Sequence, residues 1–281
     1  MLDEKTRPIT EILKRVVASA YLKNSEAYPL SALLVAPVGA GKTTVIKKTC
    51  WGNGILGLSD CTPYGLAKLL PEIEAKGVKH IVIYDLVEPM SRSRVIVNPL
   101  IGFLNSLIEE GIFRISTGFI TIDKPIKLGL ITSTTKKELF DKRRGWLSIG
   151  FISRMLPISW TFTDADVIQI LQALASGGLK EVDLEEIKLK ARKVEGDPAV
   201  FQKLIPYAQA IEASANRYLA RGKKGELIEV KVEAYPFRRQ KQLMIFLMSN
   251  ALLRGSSKVE EKDFEEFQAL TRWMNYDLNP L

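Results

Sequence analysis

Apolar residues recur at Ile9, Ile12, Leu13, Val16, Val17 and Ala20, a spacing that lays one stripe along one side of a helix. Pro8 suits the opening of that helix, because the N–H it lacks has no partner in a first turn. Tyr28-Pro29 then breaks the chain, and a short unbroken apolar run follows, Ala32-Leu33-Leu34-Val35. From there strand and helix signals alternate. The pattern predicts a helix from about Thr43, a strand near Ile55–Leu58, a helix around Tyr64–Ala75 and a strongly apolar strand over Ile81-Val82-Ile83-Tyr84. A helix over Pro99–Glu110, a hairpin, a strand over Leu128–Thr132, a polar basic helix and a last strand near Leu156–Phe162 complete the series. Strands of this kind, separated by helices, predict an α/β fold whose parallel sheet is covered on both faces.

After Thr163 the pattern changes. Asp164 reads as a helix cap before Val167, Ile168, Ile170 and Leu171. Further helical stretches are predicted over about 198–219, 238–253 and 260–274, and only Leu227–Val232 looks strand-like. The expected division is a core over residues 1–162, including the N-terminal helix, and a smaller, mostly helical domain over 163–281.

The composition, 46% hydrophobic and 26% charged over 281 residues, is that of an ordinary globular protein. Apolar stretches such as Leu243–Leu247 are too short to span a bilayer, and the N-terminus lacks the apolar core of a secretory signal. Two cysteines, Cys50 and Cys61, suit a reducing cytoplasm, and a lone His80 argues against histidine-based metal or triad chemistry. We therefore expect a cytoplasmic protein with no membrane partner. The net charge of +8 favours an acidic partner, with nucleic acid first, although a protein that never touches DNA can carry the same excess.

The first strand empties into Ala36-Pro37-Val38-Gly39-Ala40-Gly41-Lys42-Thr43-Thr44. This matches the phosphate-binding pattern G-x-x-x-x-G-K-[ST] except at Ala36, which replaces the first glycine. Backbone N–H groups of such a loop curl around phosphates, the lysine reaches the β/γ-phosphates and the hydroxyl holds Mg²⁺. The expected ATP-binding set is Pro37, Val38, Gly39, Ala40, Gly41, Lys42, Thr43 and Thr44. Asp85 ends the strand that begins at Ile81, one helix-and-strand unit later, and is expected to hold Mg²⁺ through water together with Thr43. Hydrolysis also needs a group that orients or deprotonates water. Many ATPases of this kind place a Glu immediately after the Asp, whereas Leu86 stands here. Glu88 is the nearest carboxylate; a catalytic role and a solvated loop acid are both open for it.

On these residues the chain, from about Tyr28 onward, resembles an AAA+ ATPase. Thr132-Ser133-Thr134-Thr135, at the end of a strand, is similar to the family's first sensor, with Thr134 favoured over Thr132 and Ser133; capping of the next helix by Thr134 or Thr135 is the alternative. Phe151-Ile152-Ser153-Arg154-Met155 is similar to the box that carries the arginine finger, which would make Arg154 a donor to a neighbouring subunit's ATP; pairing with a local carboxylate is the other reading. Pro236-Phe237-Arg238-Arg239-Gln240 resembles the second sensor on the lid, with Arg238 and Arg239 both open. The run from Ile112 to Ile122 reads as a hairpin turning at Thr117-Gly118, similar to the insertion before the first sensor in ring helicases, branch-migration motors and MoxR-like ATPases. Arg114, Lys124 and Lys127 lie near it, and DNA contact or packing between subunits are alternative roles.

The resemblance implies a P-loop NTPase core with a small helical lid, ATP and Mg²⁺ as cofactors, and a homo-oligomeric ring or spiral, most simply a hexamer. The catalytic residues it implies are Lys42, Asp85, Glu88, Thr134, Arg154, Arg238 and Arg239. The expected job is a DNA process such as replication, recombination or transposition. Two rivals are a protein-remodelling, chaperone-like ATPase with a protein partner, and an ATP-dependent assembly switch with slow hydrolysis. The basic run Lys136-Lys137 and Lys142-Arg143-Arg144 faces either phosphates or solvent, and Trp51 and Trp146 are either interface anchors or core.

Overall fold

A computed structural model of the chain describes residues 2–52, 54–111, 116–117, 120–121, 126–177, 187–221 and 226–280. After a short α1 (Leu2–Lys5), the amphipathic helix α2 (Arg7–Ala18) carries Pro8 in its first turn and buries Ile9, Ile12, Leu13, Val16 and Val17. Each of those side chains contributes roughly 1.5–3 kcal/mol by leaving water. The alternating region follows as β1 (Ala32–Val35), α3 (Lys42–Thr49), β2 (Ile55–Leu58), α4 (Pro63–Ala75), β3 (His80–Ile83), α5 (Val87–Met90) and α6 (Arg94–Asn105). The last of these widens into a π turn at Ser106–Glu110. Then come β4 (Ser116–Thr117), β5 (Ile120–Thr121), β6 (Gly129–Thr134), α7 (Lys136–Ser148), a 3₁₀ turn at Ile152–Arg154 and β7 (Leu156–Ser159). The remainder is α8 (Asp164–Ala175), α9 (Pro198–Gln202), α10 (Ile205–Ala215), β8 (Arg217–Arg221), β9 (Leu227–Lys231), α11 (Phe237–Leu253) and α12 (Glu261–Thr271).

Five strands form one all-parallel sheet in the order β2-β3-β6-β1-β7. Side-chain alternation divides its core in two. Ala32, Leu34, Val82, Ile131 and Ile158 pack toward α2, α3, α11 and α12, while Leu33, Val35, Ile81, Ile83 and Leu130 pack toward α4, α6 and α7. The first of these cores is continuous from the sheet into the helices beyond residue 194. At the start of β6, Gly129 is required by close approach: a Cβ there would strike the buried His80 ring and come within 2.6 Å of the Leu30 carbonyl oxygen. No helix among the described residues is long and apolar enough to cross a membrane.

Several elements differ from the sequence expectation. The helix expected from Pro99 begins at Arg94, with Pro99 inside it. The long helix expected over 198–219 is two helices followed by β8, because β8 pairs antiparallel with β9 and tertiary pairing overrides local propensity. Thr163, not Asp164, caps α8: its hydroxyl accepts from the Asp166 N–H, and Asp166 accepts from the Thr163 N–H in return. The expected hairpin is present as an antiparallel pairing of β4 with β5, while Gly118 at its turn lies outside the described residues, as do Arg114 and Lys124.

Candidate functional site

Parallel strands put all their carboxyl ends on one edge, and the loop at 36–43 leaves that edge from the central strand β1. Two left-handed glycines shape it, Gly39 at φ 78° and Gly41 at φ 75°, and Gly41 is the N-cap of α3. Only glycine adopts such angles without strain, so the motif's glycines are backbone requirements. Ala36 does not adopt a positive φ and buries its methyl in the core, which explains why this position tolerates alanine. Trp160, just after β7, donates from Nε1 to the Ala40 carbonyl at 3.3 Å and braces the loop from below. Val38, Gly39 and Thr43 are exposed on its outer side.

Lys42 folds back over this loop, donating from Nζ to the carbonyls of Ala36 at 3.2 Å and Pro37 at 3.1 Å. Burial pulls its ammonium below the usual lysine range, and the Asp85 carboxylate opposes that shift. An anion placed in the loop would offer the same ammonium a stronger, charge-assisted partner than two carbonyls.

The register assembles the rest of the edge. Val35 aligns with Thr134 of β6, and Ile83 aligns with Thr132, so Asp85, two residues beyond Ile83, lies level with Thr134. Asp85 is exposed, and its Oδ1 accepts from the Val87 N–H at 2.9 Å. Ser133 sets that turn twice: its hydroxyl donates to the Tyr84 carbonyl at 2.7 Å, and its carbonyl accepts from the Leu86 N–H at 2.9 Å. Thr135 caps α7 by accepting from the Glu138 N–H, which leaves Thr134 free of the capping role. The hydroxyls of Thr134 and Thr132 are buried without a hydrogen-bond partner among the described residues. Leu86 is wholly buried, and Glu88, in the first turn of α5, is exposed with no partner for its carboxylate among the described residues.

Lys42, Thr43, Asp85 and Thr134 thus gather at the carboxyl edge, with Glu88 one turn further along. The three arginines do not join them. Arg154 and Met155 lead directly into Leu156, which aligns with Ala32 at the far end of β1 from the loop. At about 3.3 Å per strand residue, that end lies roughly 10 Å from the loop. Arg154 is paired there with Glu109 and donates to the Gly150 carbonyl at 2.7 Å, which is the local-carboxylate arrangement. Arg238 shares Glu109, at 2.7 Å from its Nε, and reaches the Ser153 hydroxyl at 2.8 Å. Arg239 is entirely buried and donates to Glu212 at 3.1 Å, the Met155 carbonyl at 2.8 Å and Gln242 at 2.7 Å. Of the two lid arginines, Arg239 therefore points inward as a core staple, and neither reaches this chain's own loop.

Arg143 also departs from its neighbours in the basic run. It turns inward to the Ser214 carbonyl at 2.6 Å and stacks near Tyr276, while Lys142 and Arg144 stay exposed. Trp146 is core and Trp51 is partly exposed. Sequence reasoning missed Ser133, Trp160 and Glu109 as positioning residues. Ser133 lay inside a flagged Thr/Ser run, whereas Trp160 and Glu109 carry no local signal because their partners are 120 and 45 or more residues away.

Fold and edge together define an α/β protein with a five-stranded parallel sheet and a glycine-shaped loop at the carboxyl end of a central strand. Comparison with protein-family models finds no match for the chain, and comparison with curated proteins finds none either.

Proposed function

We propose that this chain binds and hydrolyses ATP as an AAA+-type oligomeric motor or switch in a DNA process. The observation that carries the nucleotide part is the loop: two left-handed glycines, an α3 amino terminus and a partly desolvated Lys42 facing Asp85. In this reading the ATP phosphates occupy the loop and draw Lys42 away from the Ala36 and Pro37 carbonyls. Thr43, exposed in the first turn of α3, and Asp85, exposed at the end of its strand, form a hard oxygen donor set that fits Mg²⁺. When bound, that ion neutralises charge on the transferring phosphoryl group. In this reading Thr134, whose buried hydroxyl has no partner among the described residues, orients water or the terminal phosphate, and Glu88 accepts a proton from that water.

A slowly hydrolysing assembly switch is the second reading, and Leu86 favours it. Its burial excludes a polar group from the position next to Asp85, and Glu88 is offset by most of a helical turn. The DNA part rests on the +8 charge and the β4–β5 hairpin.

A fluorescent ATP analogue with Mg²⁺ tests the site directly. Lys42→Ala removes a charge-assisted contact of about 1.5–3 kcal/mol and is expected to weaken binding roughly 10- to 100-fold. Glu88→Gln is expected to keep binding and lose turnover. Equal affinity in the Lys42 variant would sink the nucleotide reading; unchanged turnover in the Glu88 variant would reject only that residue's role.

A further inference from the structure

The end of α5, the first half of α6 and the body of α7 enclose an open groove of about 830 Å³ on the outer layer of the sheet. Its charge is one-sided. Arg92, Arg94, Lys142 and Arg144 line it against a single lining carboxylate, Asp141. Arg92 is engaged by Asp60 and the Cys61 carbonyl. The side chains of Arg94, Lys142 and Arg144 are exposed and make no ion pair or hydrogen bond among the described residues.

Three exposed cations on two facing elements outnumber the one lining carboxylate, Asp141, and their mutual repulsion is relieved when an anion joins them. Arg143 shows the alternative fate of a cation in the same run: it turns inward and is absorbed by carbonyls and by the Tyr276 ring. The groove floor is apolar, with Trp146 packed flush and almost wholly buried. A buried ring cannot stack with a base, so the groove's cations, and not its aromatic side chain, are what it offers a nucleic acid.

We propose that this groove holds the phosphodiester backbone of a nucleic acid, with Arg94, Lys142 and Arg144 as its phosphate contacts. This rests on the DNA reading above and assigns it a surface separate from both the carboxyl edge and the β4–β5 hairpin.

The probe is a fluorescently labelled oligonucleotide, single-stranded and duplex, titrated with the full chain across a salt series. Each phosphate contact contributes about 0.9 to the slope of log affinity against log salt for duplex and about 0.7 for single strands. The variant Arg94→Ala/Lys142→Ala/Arg144→Ala is therefore expected to lose between two and three from that slope. Its affinity should fall on the order of a hundredfold at 0.1 M salt. A control neutralises three exposed cations elsewhere, Lys23→Ala/Lys190→Ala/Lys193→Ala, removing the same net charge from outside the groove. It should retain most of the affinity. Equal losses in the two variants, or no loss in the groove variant, overturn the assignment while leaving the DNA reading intact. If the wild-type chain binds neither oligonucleotide, the DNA reading falls and the groove assignment with it. If the groove variant keeps DNA affinity but loses ATP turnover that depends on protein concentration, the groove serves a second copy's phosphates and the assignment is wrong. Neither variant touches Lys42, so binding of the ATP analogue reports separately on the nucleotide site.

Discussion

Replacing Arg239 with Met separates a structural role from a nucleotide-sensing one. The wild-type guanidinium is wholly buried and satisfies Glu212, the Met155 carbonyl and Gln242. Methionine fills much of the same volume but donates nothing. Among the described residues, Glu212, whose side chain is 5% exposed, then keeps only the Asn216 side-chain bond at 2.8 Å. Leaving one member of a buried ion pair uncompensated costs about 3–5 kcal/mol. At about 2–4 °C per kcal/mol for a chain of this size, the melting temperature should fall by roughly 6–20 °C. Thermal unfolding followed by circular dichroism measures this, and ATP-analogue binding well below the variant's melting point supplies the second readout. Affinity there is expected to stay within about twofold, since the side chain contacts the amino edge of the sheet and the loop leaves the carboxyl edge. Adding Glu212→Met should recover much of the lost stability, because removing both charges removes the desolvation penalty as well. A melting temperature within 2 °C of wild type, accompanied by lost turnover, would refute this reasoning and return Arg239 to a nucleotide-sensing role.

Two further outcomes follow from buried polar groups. Burial holds the His80 imidazole down at about 4, against the opposing pull of the Leu30 and Val16 carbonyls, so the folded state keeps it neutral where the unfolded chain protonates it near 6.5. Its contribution is therefore complete above about pH 6.5 and falls by up to about 3 kcal/mol as pH drops toward 4; urea unfolding at pH 7.5 and pH 5 should show a smaller difference in His80→Gln, and an identical difference would remove His80 as the cause. Thr134→Val deletes a buried hydroxyl that has no partner among the described residues, so stability should hold or rise by about 1 kcal/mol, while under the proposed function ATP turnover falls at least tenfold with binding retained. Wild-type turnover in that variant would show that the hydroxyl has no part in hydrolysis.

Much of the sheet was legible because each strand is a short apolar run bounded by breakers, and the 36–43 loop because its glycines are demanded by backbone angles that sequence registers directly. Asp85 was legible for the same reason, as the polar end of an apolar strand. What sequence could not show was set by distant partners. Arg217–Arg221 continues a helical pattern until β9 arrives to pair with it. Arg238 and Arg239 are adjacent and chemically alike, yet one reaches Glu109 and the other is sealed against Glu212, a difference fixed by which side of α11 meets α10 and the Ile152–Arg154 turn. In the basic run, periodicity alone did not reveal that Arg143 faces inward while its two neighbours line a groove.

The placement of Arg154 and Arg238 also constrains how the proposed ATP site is completed. Both lie at the amino edge of the sheet, and both are held by Glu109, whose side chain is 30% exposed. These pairs are partly buried, and Arg154 Nε and Glu109 Oε2 are sealed from solvent, so handing an arginine to a phosphate requires the pair to open. A charge-assisted bond from arginine to a phosphate oxygen is worth about 1.5–3 kcal/mol in a site that excludes water. Under the proposed function, the bond to phosphate outweighs the cost of opening these pairs, and Glu109 holds both guanidiniums oriented until a phosphate is presented. Because this chain's own loop is roughly a strand length away, the only phosphates available for that exchange are those of another molecule. Under the proposed function, dilution should then reduce turnover while leaving ATP binding unchanged.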